Sequence, residues 1–238
     1  MSAGDGHVVV ATGFNREIAT IRQPGVVVVA GGGDPVALRA KIEWAAAGAA
    51  GIMSYGLCGA LADGLVIGDW IVGDRLVGAV ETTCDPAWAA ALLERLWGAR
   101  AGGYFADGRM IDTVAEKLAL GERHAALAVD MESHVAAAAA AAHGLPFAIL
   151  RCVSDGARHL LPHAITVSMR ADGGVDAKAM LRSLAARPGQ AGDVMRTSAG
   201  FMRAMRELRR GATMVGPRMG LGSASKVERQ SVGPLVKS

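Results

Sequence analysis

The sequence predicts a three-layer α/β/α sandwich around a central, mostly parallel and partly closed sheet. A chain of 238 residues with 51% apolar residues is long enough for one large α/β domain with a sizeable core. Its apolar segments are continuous runs, which is typical of strands buried on both faces. These runs alternate with helical segments, and that order favours a mostly parallel sheet between two layers of helices.

The first four strands are predicted from apolar runs, mostly rich in valine or alanine, that end in glycine or other small residues. Their sequences are HVVVATGF, GVVVVAGGG, AAGIMSYGLCGAL and LVIGDWIVGD. Two pairs, Asp34-Pro35 and Asp85-Pro86, predict helix starts, because aspartate caps a helix and proline suits its first turn. We therefore expect one helix to end near Gly48 and another to cover PAWAAALLERLWG.

The last two predicted strands, HAALAVD and PFAILRCVSDG, flank a helix. This helix is predicted from seven consecutive alanines after Val135, and it is expected to end at Gly144. Helices around Val175–Ala186 and Gly192–Arg210 complete a predicted catalytic domain over residues 1–212. The final residues are rich in Gly, Ser and Pro without a helical period, so residues 213–238 are predicted to be a flexible basic tail.

Composition argues against several classes of protein. Cys58, Cys84 and Cys152 are far apart and form no C-x-x-C pair, so we expect neither a disulfide framework nor a metal site, and no resident cofactor. The sequence shows no signal peptide, which favours a cytoplasmic location. The uncharged segment Trp44–Ala62 is long enough to span a bilayer, but its four glycines and few large aliphatic residues favour a helix that leads into a buried strand.

Positive charge is concentrated near the end of the chain. From Met195 onward nine Lys and Arg residues stand against two acidic residues, although the net charge of the whole chain is only +3. Five of the arginines lie between Arg196 and Arg210 in a helical pattern. They suggest weak, reversible association with an anionic membrane, and the alternative is an ordinary solvated basic face. We expect no nucleic-acid partner, and a homo-oligomer.

Acidic residues follow several of the predicted strands, where ligands bind in sheets of this kind. The strand ends read ATGFNRE, GGGD, GLCGAL, VDMES and CVSDG, and four of the five contain an acid. In VDMES, Asp130 and Glu132 have a structural interpretation, as a helix cap and a first-turn acid that suits the helix dipole. They also have a functional one, because Glu132 is expected where a ligand would lie. The glycines of GGGD lack the spacing of a dinucleotide-binding motif, so that interpretation is disfavoured.

Several motifs in order carry a resemblance to a known superfamily. VDMES before an alanine helix, RCVSDGA after the next strand, and GLCGAL followed by LVIGD resemble the nucleoside phosphorylase and nucleosidase superfamily. AGGGDP, DPAWAAALL, AVDMESHVAA, GLPFAILR and LRSLAARPGQ look like its hopanoid-associated members. The match covers roughly residues 8–210.

The resemblance implies roles for residues at matching positions. Asp155 matches the acid that protonates or hydrogen-bonds N7 of the purine, and Glu17 matches the carboxylate that activates water in the nucleosidases. Glu132 matches the residue that binds the ribose hydroxyls. The remaining substrate-binding residues implied are Met131 under the sugar, Cys58 and Gly59 beside the ribose and base, Ser154, and the base-lining pair Met110 and Ile111.

The sequence departs from the superfamily at two phosphate-binding positions. Leu57 replaces a Ser or Thr, and Ser54 stands near the place where phosphorylases often have an Arg. Inorganic phosphate as a co-substrate would then need other ligands, such as backbone N–H groups at Gly31, Gly32 and Gly33 or an Arg from a neighbouring subunit. Glu17 keeps hydrolysis open as the alternative.

Structural interpretations of the same residues stay open at this stage. Asp155 also suits a turn in SDG, and Glu17 an ordinary first helical turn. His134 and His143 on the alanine helix are expected to be packing or surface residues, whereas His159 and His163 follow the last strand and could close over a site there.

These observations together predict an enzyme that cleaves the N-glycosidic bond of a purine nucleoside. The resemblance names adenosylhopane as the substrate, with release of adenine in hopanoid lipid biosynthesis. One alternative is a general purine nucleosidase or phosphorylase acting on a small nucleoside such as methylthioadenosine. Another is a non-catalytic nucleoside-binding protein, which a site with Glu132 but without a reachable Asp155 would favour.

Overall fold

The computed structural model describes residues 6–168 and 176–222, and these contain eight strands and eight α-helices. The strands are β1 (His7–Thr12), β2 (Val26–Ala30), β3 (Ala49–Ala60), β4 (Trp70–Gly78), β5 (Thr82–Thr83), β6 (Arg100–Ala106), β7 (Ala126–Val129) and β8 (Phe147–Asp155). The helices are α1 (Asn15–Ile18), α2 (Pro35–Ala45), α3 (Pro86–Arg95), α4 (Val114–His124), α5 (Ser133–His143), α6 (His163–Ser168), α7 (Ala177–Ala186) and α8 (Ala191–Val215).

Five strands of the sheet form a closed ring. β3 pairs with β8, β8 with β4, β4 with β6, β6 with β7, and β7 returns to β3. β1 and β2 extend the sheet beyond β3 as parallel neighbours, and the short β5 is attached to β4. The predicted mostly parallel and partly closed sheet is confirmed, although β3–β7, β4–β5 and β4–β8 are antiparallel pairs.

Helices cover the sheet on two sides, which confirms the predicted three layers. One buried cluster joins the sheet to α2 and α5, with Leu38 and Ile42 from α2 and the small side chains of the alanine helix. A second cluster joins the sheet to α3 and α8 and includes Trp88, Leu92 and Leu208. The alanines of α5 let this helix lie close to the sheet, because their side chains occupy little space.

β6 and α4 were not predicted from the sequence, and β4 begins about five residues later than predicted. β6 contains Gly102 and Gly103, where an added Cβ would lie 2.3 Å from Leu127 Cδ1 and 2.9 Å from Arg75 Cζ. Glycine is needed there for close packing, and it shortens the apolar run that would predict a strand. Asp69 delays β4, because its carboxylate accepts from the N–H of Val66 and forms a turn.

α8 runs through position 212, where the sequence analysis ended the domain. Val215 and Met219 have no exposed surface, and the indole Nε1–H of Trp88 donates to the carbonyl of Met219 over 2.8 Å. A short 3₁₀ helix, Pro217–Gly220, follows α8. Residues 213–222 of the predicted tail therefore pack on the domain, and residues 223–238 lie outside the described part of the chain.

A membrane-spanning helix is not found in the described ranges 6–168 and 176–222. The uncharged segment from residue 44 to residue 62 forms the end of α2, a turn and β3, as the sequence analysis favoured.

We predict opposite effects on stability for two Gly→Ala changes in α8. At Gly211 an added Cβ would lie 2.1 Å from Trp70 Cζ2, so overpacking by about 1–3 kcal/mol should outweigh the helix propensity gained. Gly192 is exposed and no atom lies within 4 Å of its added Cβ, so Gly192→Ala should stabilise by up to about 1 kcal/mol. Thermal melting of both variants checks this, and a Gly211→Ala variant that melts at or above the wild-type temperature would contradict the packing.

Candidate active site

A cavity of about 380 Å³ lies beside the carboxyl ends of β1, β3, β7 and β8. It is the place where loops after several strands meet, as expected for a ligand site in an α/β sheet. The structure brings together nine of the predicted site residues in its lining: Glu17, Cys58, Gly59, Met110, Ile111, Met131, Glu132, Ser154 and Asp155. Three carboxylates from distant parts of the sequence therefore line one cavity.

Glu17 reaches from the short helix α1 across to β3. Its Oε2 accepts from the backbone N–H of Phe14 and its Oε1 from that of Leu57, both over 2.8 Å. The side chain is buried, so Glu17 is more than a first-turn acid on an exposed helix. Burial raises the pKa of Glu17, while Arg151 and the backbone donors act in the opposite direction. A carboxyl with a raised pKa suits a general base that works near neutral pH.

Asp130 and Glu132 divide the two roles that the sequence left open. Asp130 Oδ1 accepts from the backbone N–H groups of Glu132 and Ser133, over 2.9 and 2.7 Å, and thereby caps the start of α5. Glu132 makes no capping hydrogen bond, and its carboxylate lies close to Gly13, where an added Cβ would be 2.7 Å from Oε1. Both residues line the cavity, but Asp130 caps the helix, whereas Glu132 has no capping role.

Burial raises the pKa of Glu132 to about 7. The guanidinium of Arg151 lowers this pKa, whereas the neighbouring Asp130 and Glu17 raise it further. Glu132 and Glu17 are therefore two carboxyls that burial makes harder to ionise than carboxyls in water.

Arg151 in β8 connects these acids, and the sequence analysis missed it. Its Nη1 donates to the carbonyl of Leu57 over 2.9 Å, and its Nη2 donates to Ser54 Oγ over 2.7 Å. Nη2 also lies 3.2 Å from Glu132 Oε2, and Nε lies 3.3 Å from Asp130 Oδ2. The signal was present in the sequence, because Arg151 is a single charge inside the otherwise apolar run FAILRCV.

Asp155 is the last residue of β8 and is held at both carboxylate oxygens. Ser154 Oγ donates to Oδ1 over 2.8 Å, and the ammonium of Lys117 donates to Oδ2. Asp155 pairs with Gly59 in the sheet, and an added Cβ at Gly59 would lie 3.1 Å from Oδ2. Asp155 is thus an oriented side chain in the cavity wall, and Lys117 is a second lining residue that sequence reasoning missed.

Apolar side chains make up most of the remaining lining. Burial raises the pKa of the Cys58 thiol well above its ordinary value, so Cys58 is a small neutral wall residue. Met110 and Met202 line the cavity and are also 39% and 61% exposed, so the apolar lining continues to the surface. Further apolar residues of the wall are Phe14, Leu161, Ile165, Met180, Phe201 and Met205.

The glycines predicted to bind phosphate lie behind the cavity wall, where the N–H of Gly32 donates to the carbonyl of Gly13 over 2.9 Å. Gly31, Gly32 and Gly33 are not part of the cavity lining. They form a turn before α2, and the N-terminus of α2 is capped by Asp34, which accepts from the N–H groups of Val36 and Ala37. This helix end already has its own carboxylate, so the prediction of a phosphate site there finds no support in the geometry.

His159 and His163, which the sequence left open as residues that could close over a site, are not in the lining either. His159 Nε2 lies 3.1 Å from Oγ1 of Thr197, which does line the cavity, and His163 begins α6. On the alanine helix, His143 pairs with Glu43 at the surface, and the imidazole of His134 lies against Gly108.

Comparison with protein families finds a match over most of the chain. A model of the phosphorylase superfamily matches residues 4–186. No functionally curated protein matches the sequence significantly.

Solved structures with the same fold include three bacterial enzymes. Futalosine hydrolase of Helicobacter pylori is 15% identical with a TM-score of 0.64, over 90% of this chain and 98% of that one. The 5'-methylthioadenosine/S-adenosylhomocysteine nucleosidase of Helicobacter pylori is 16% identical with a TM-score of 0.62, over 89% and 97%. The corresponding nucleosidase of S. pneumoniae is 17% identical with a TM-score of 0.61, over 88% and 99%. At these identities the likeness shows the fold.

We predict that Glu132→Gln changes how stability depends on pH. The pKa of Glu132 is raised from 4.5 to about 7 in the folded protein, so the unfolded chain loses this proton first as pH rises. The contribution of Glu132 to the free energy of unfolding is therefore lost as pH rises from the unfolded pKa to the folded pKa. A glutamine does not titrate and abolishes that loss. The melting temperature should fall less between about pH 5 and about pH 8 for Glu132→Gln than it does for wild type. The exposed Glu94→Gln is the control and should keep the wild-type difference; equal falls in all three proteins would contradict the shift.

Proposed function

The chain belongs to the phosphorylase superfamily, and from this membership we propose that it cleaves the N-glycosidic bond of a purine nucleoside. The convergence of Glu17, Glu132 and Asp155 on one cavity is the observation that carries the proposal. Breaking this bond needs a sugar cation that is stabilised and a base that leaves with a proton or a hydrogen bond. Carboxylates on both sides of the bond meet these two needs.

Glu132 is assigned to the sugar. Its carboxylate accepts hydrogen bonds from ribose hydroxyls and favours positive charge as it develops on the ring. Arg151 fixes the orientation of this carboxylate from inside the protein through its contact with Oε2. Arg151 also donates to Ser54 Oγ and to the carbonyl of Leu57 and forms an ion pair with Asp130, so its guanidinium is itself held in place by the protein.

Asp155 is assigned to the base. It lies in the same cavity as Glu132, which supports an enzyme over a nucleoside-binding protein that has lost catalysis. With Ser154 and Lys117 holding its oxygens, the carboxyl is oriented before the substrate arrives. Its contact with N7 of the purine assists departure of the base.

Glu17 is assigned to the nucleophile, as the base that activates water. Both of its oxygens are fixed by backbone donors, and its raised pKa suits proton removal near neutral pH. We favour water over phosphate, because Gly31–Gly33 are not part of the cavity lining and Arg151 donates to Ser54 and Leu57 of the protein. Inorganic phosphate as a co-substrate is the alternative.

For the substrate we propose adenosylhopane, with adenine as the released base. The apolar wall that continues to the surface supports a nucleoside with a large apolar 5′ substituent. A small nucleoside such as methylthioadenosine is the alternative, since the Helicobacter pylori nucleosidase of the same fold acts on that compound. Incubation of the protein with each compound, with and without phosphate, and identification of the sugar product decides both substrate and nucleophile. Absence of adenine in every mixture would overturn the proposal.

We predict that Asp155→Asn slows adenine release by at least about 100-fold while the fold is kept. Asparagine preserves the size of the side chain, but it cannot carry a proton to the base. Asp112→Asn is the matched control, because Asp112 is exposed and lies outside the lining. Steady-state rates of both variants check this, and near-normal release by Asp155→Asn would remove Asp155 from its role.

We also propose that the protein approaches an anionic membrane through α7 and α8. Residues 177–215 contain eight Lys and Arg residues and two acidic ones. The same helices expose Leu181, Met195 and Met202, and Met202 also lines the cavity. A basic surface with apolar side chains beside the cavity suits a substrate that resides in a bilayer. Assembly into a homo-oligomer and a cytoplasmic location stay predictions from the sequence.

We predict that the double change Arg206→Gln and Arg209→Gln weakens sedimentation with anionic vesicles at low salt. Each basic group near such a surface contributes about 1 kcal/mol, and salt screens the attraction. Both arginines are exposed on α8, and Arg100→Gln with Arg123→Gln removes two exposed charges elsewhere as the control. Binding that is absent in wild type, or equal in both double variants, would contradict the membrane proposal.

A further inference from the structure

Lys117 is a buried ammonium at the edge of the cavity. It lies in α4, which begins after Thr113, whose hydroxyl accepts from the N–H of Glu116 and caps the helix. The Lys117 side chain is 4% exposed, although lysine is rarely buried without a partner. Its position in the cavity lining therefore needs an explanation beyond the packing of α4.

Three acceptors surround this ammonium, one for each of its protons. Nζ donates to Oδ2 of Asp155, to the carbonyl of Gly156 over 3.2 Å, and to the carbonyl of His159 over 3.5 Å. Lys117 thus binds the carboxylate assigned to the base and the loop that follows it. The same loop leads to Leu161 in the apolar wall.

We propose that Lys117 is a positioning residue that orients Asp155 and balances its negative charge during departure of the base. This inference rests on the proposed function. Ser154 holds Oδ1 and Lys117 holds Oδ2, so the rotamer of Asp155 is fixed from both sides. A carboxylate that is held in place gives its full effect without reorganisation during the reaction.

Charge gives Lys117 a second effect in the same step. As the glycosidic bond breaks, its electron pair stays with the purine, and the base becomes more negative. The base takes the proton of the Asp155 carboxyl at N7 as it leaves, and the ammonium on Oδ2 neutralises the carboxylate that this transfer leaves. Since this charge develops only in the transition state, loss of Lys117 should lower kcat more than it changes KM.

The same three hydrogen bonds bear on which base is bound. All protons of Lys117 are used by protein acceptors, so the ammonium has none left for a 6-oxo group of a purine. One oxygen of the Asp155 carboxyl can accept from the 6-amino group of a purine, whereas a 6-oxo group has no N–H to donate. The pair therefore supports adenine as the leaving base.

A double-mutant cycle tests the inference. Lys117→Met keeps the length and apolar stem of the side chain, and we expect kcat for adenine release to fall about 10- to 100-fold with KM within about threefold of wild type. In an Asp155→Asn background the same change should cost less than about threefold, because Lys117 acts through Asp155. Lys117→Gln, which keeps N–H donors without the charge, is measured beside Lys117→Met and should also lose kcat, so that the test survives if the methionine variant does not fold.

Lys41→Met is the matched control, since Lys41 donates to the carbonyl of Ala30 from α2 and lies outside the cavity lining. It should keep the wild-type kcat. A Lys117 variant that folds and keeps kcat within about threefold overturns the inference, and so does a double variant whose loss equals the product of the two single losses. Wild-type protein that releases no adenine instead overturns the proposed function, so the two failures are distinguishable.

Discussion

The guanidinium of Arg151 is enclosed by protein, and a buried cation is tolerated only where partners replace its water. Asp130, Glu132, Ser54 and the carbonyl of Leu57 provide those partners. They come from β3 and from the segment between β7 and α5, so one side chain in β8 joins neighbouring parts of the strand ring. Burial alone would lower the pKa of Arg151, but these carboxylates raise it, and the cation persists in the interior.

This cation also accounts for the state of the acids around it. Burial raises the pKa of both Glu17 and Glu132, and the positive charge of Arg151 lowers the pKa of both. Their raised pKa values are therefore a balance between burial and one shared positive charge. Glycines at positions 13 and 56 complete the arrangement, since an added Cβ at either would lie within 2.7 Å of a carboxylate oxygen. The site depends on small residues as much as on charged ones.

The features that the sequence predicted correctly are those that a short stretch of residues determines by itself. Most helices and strands were predicted from valine runs, Asp-Pro helix starts and the alanine helix. The acids that follow strands line one cavity, because the carboxyl ends of strands meet at one edge of a sheet. Arg151 and Lys117 were missed because each is defined by partners far along the chain, such as Asp155, 38 residues beyond Lys117. The prediction of a phosphate site at Gly31–Gly33 came from a glycine turn before a helix, and in the structure Asp34 caps that helix end, as the Asp34-Pro35 pair predicts.

α7 stands apart from the rest of the molecule in how it is held. None of its residues is buried, yet Met180 reaches the cavity wall. Substitutions along this helix can therefore alter the shape of the wall without disturbing the interior on which folding depends. The carboxylates and Arg151, by contrast, are tied into the strand ring and tolerate little change. Change in this outer helix can thus reshape one side of the cavity while Glu17, Glu132 and Asp155 keep their positions.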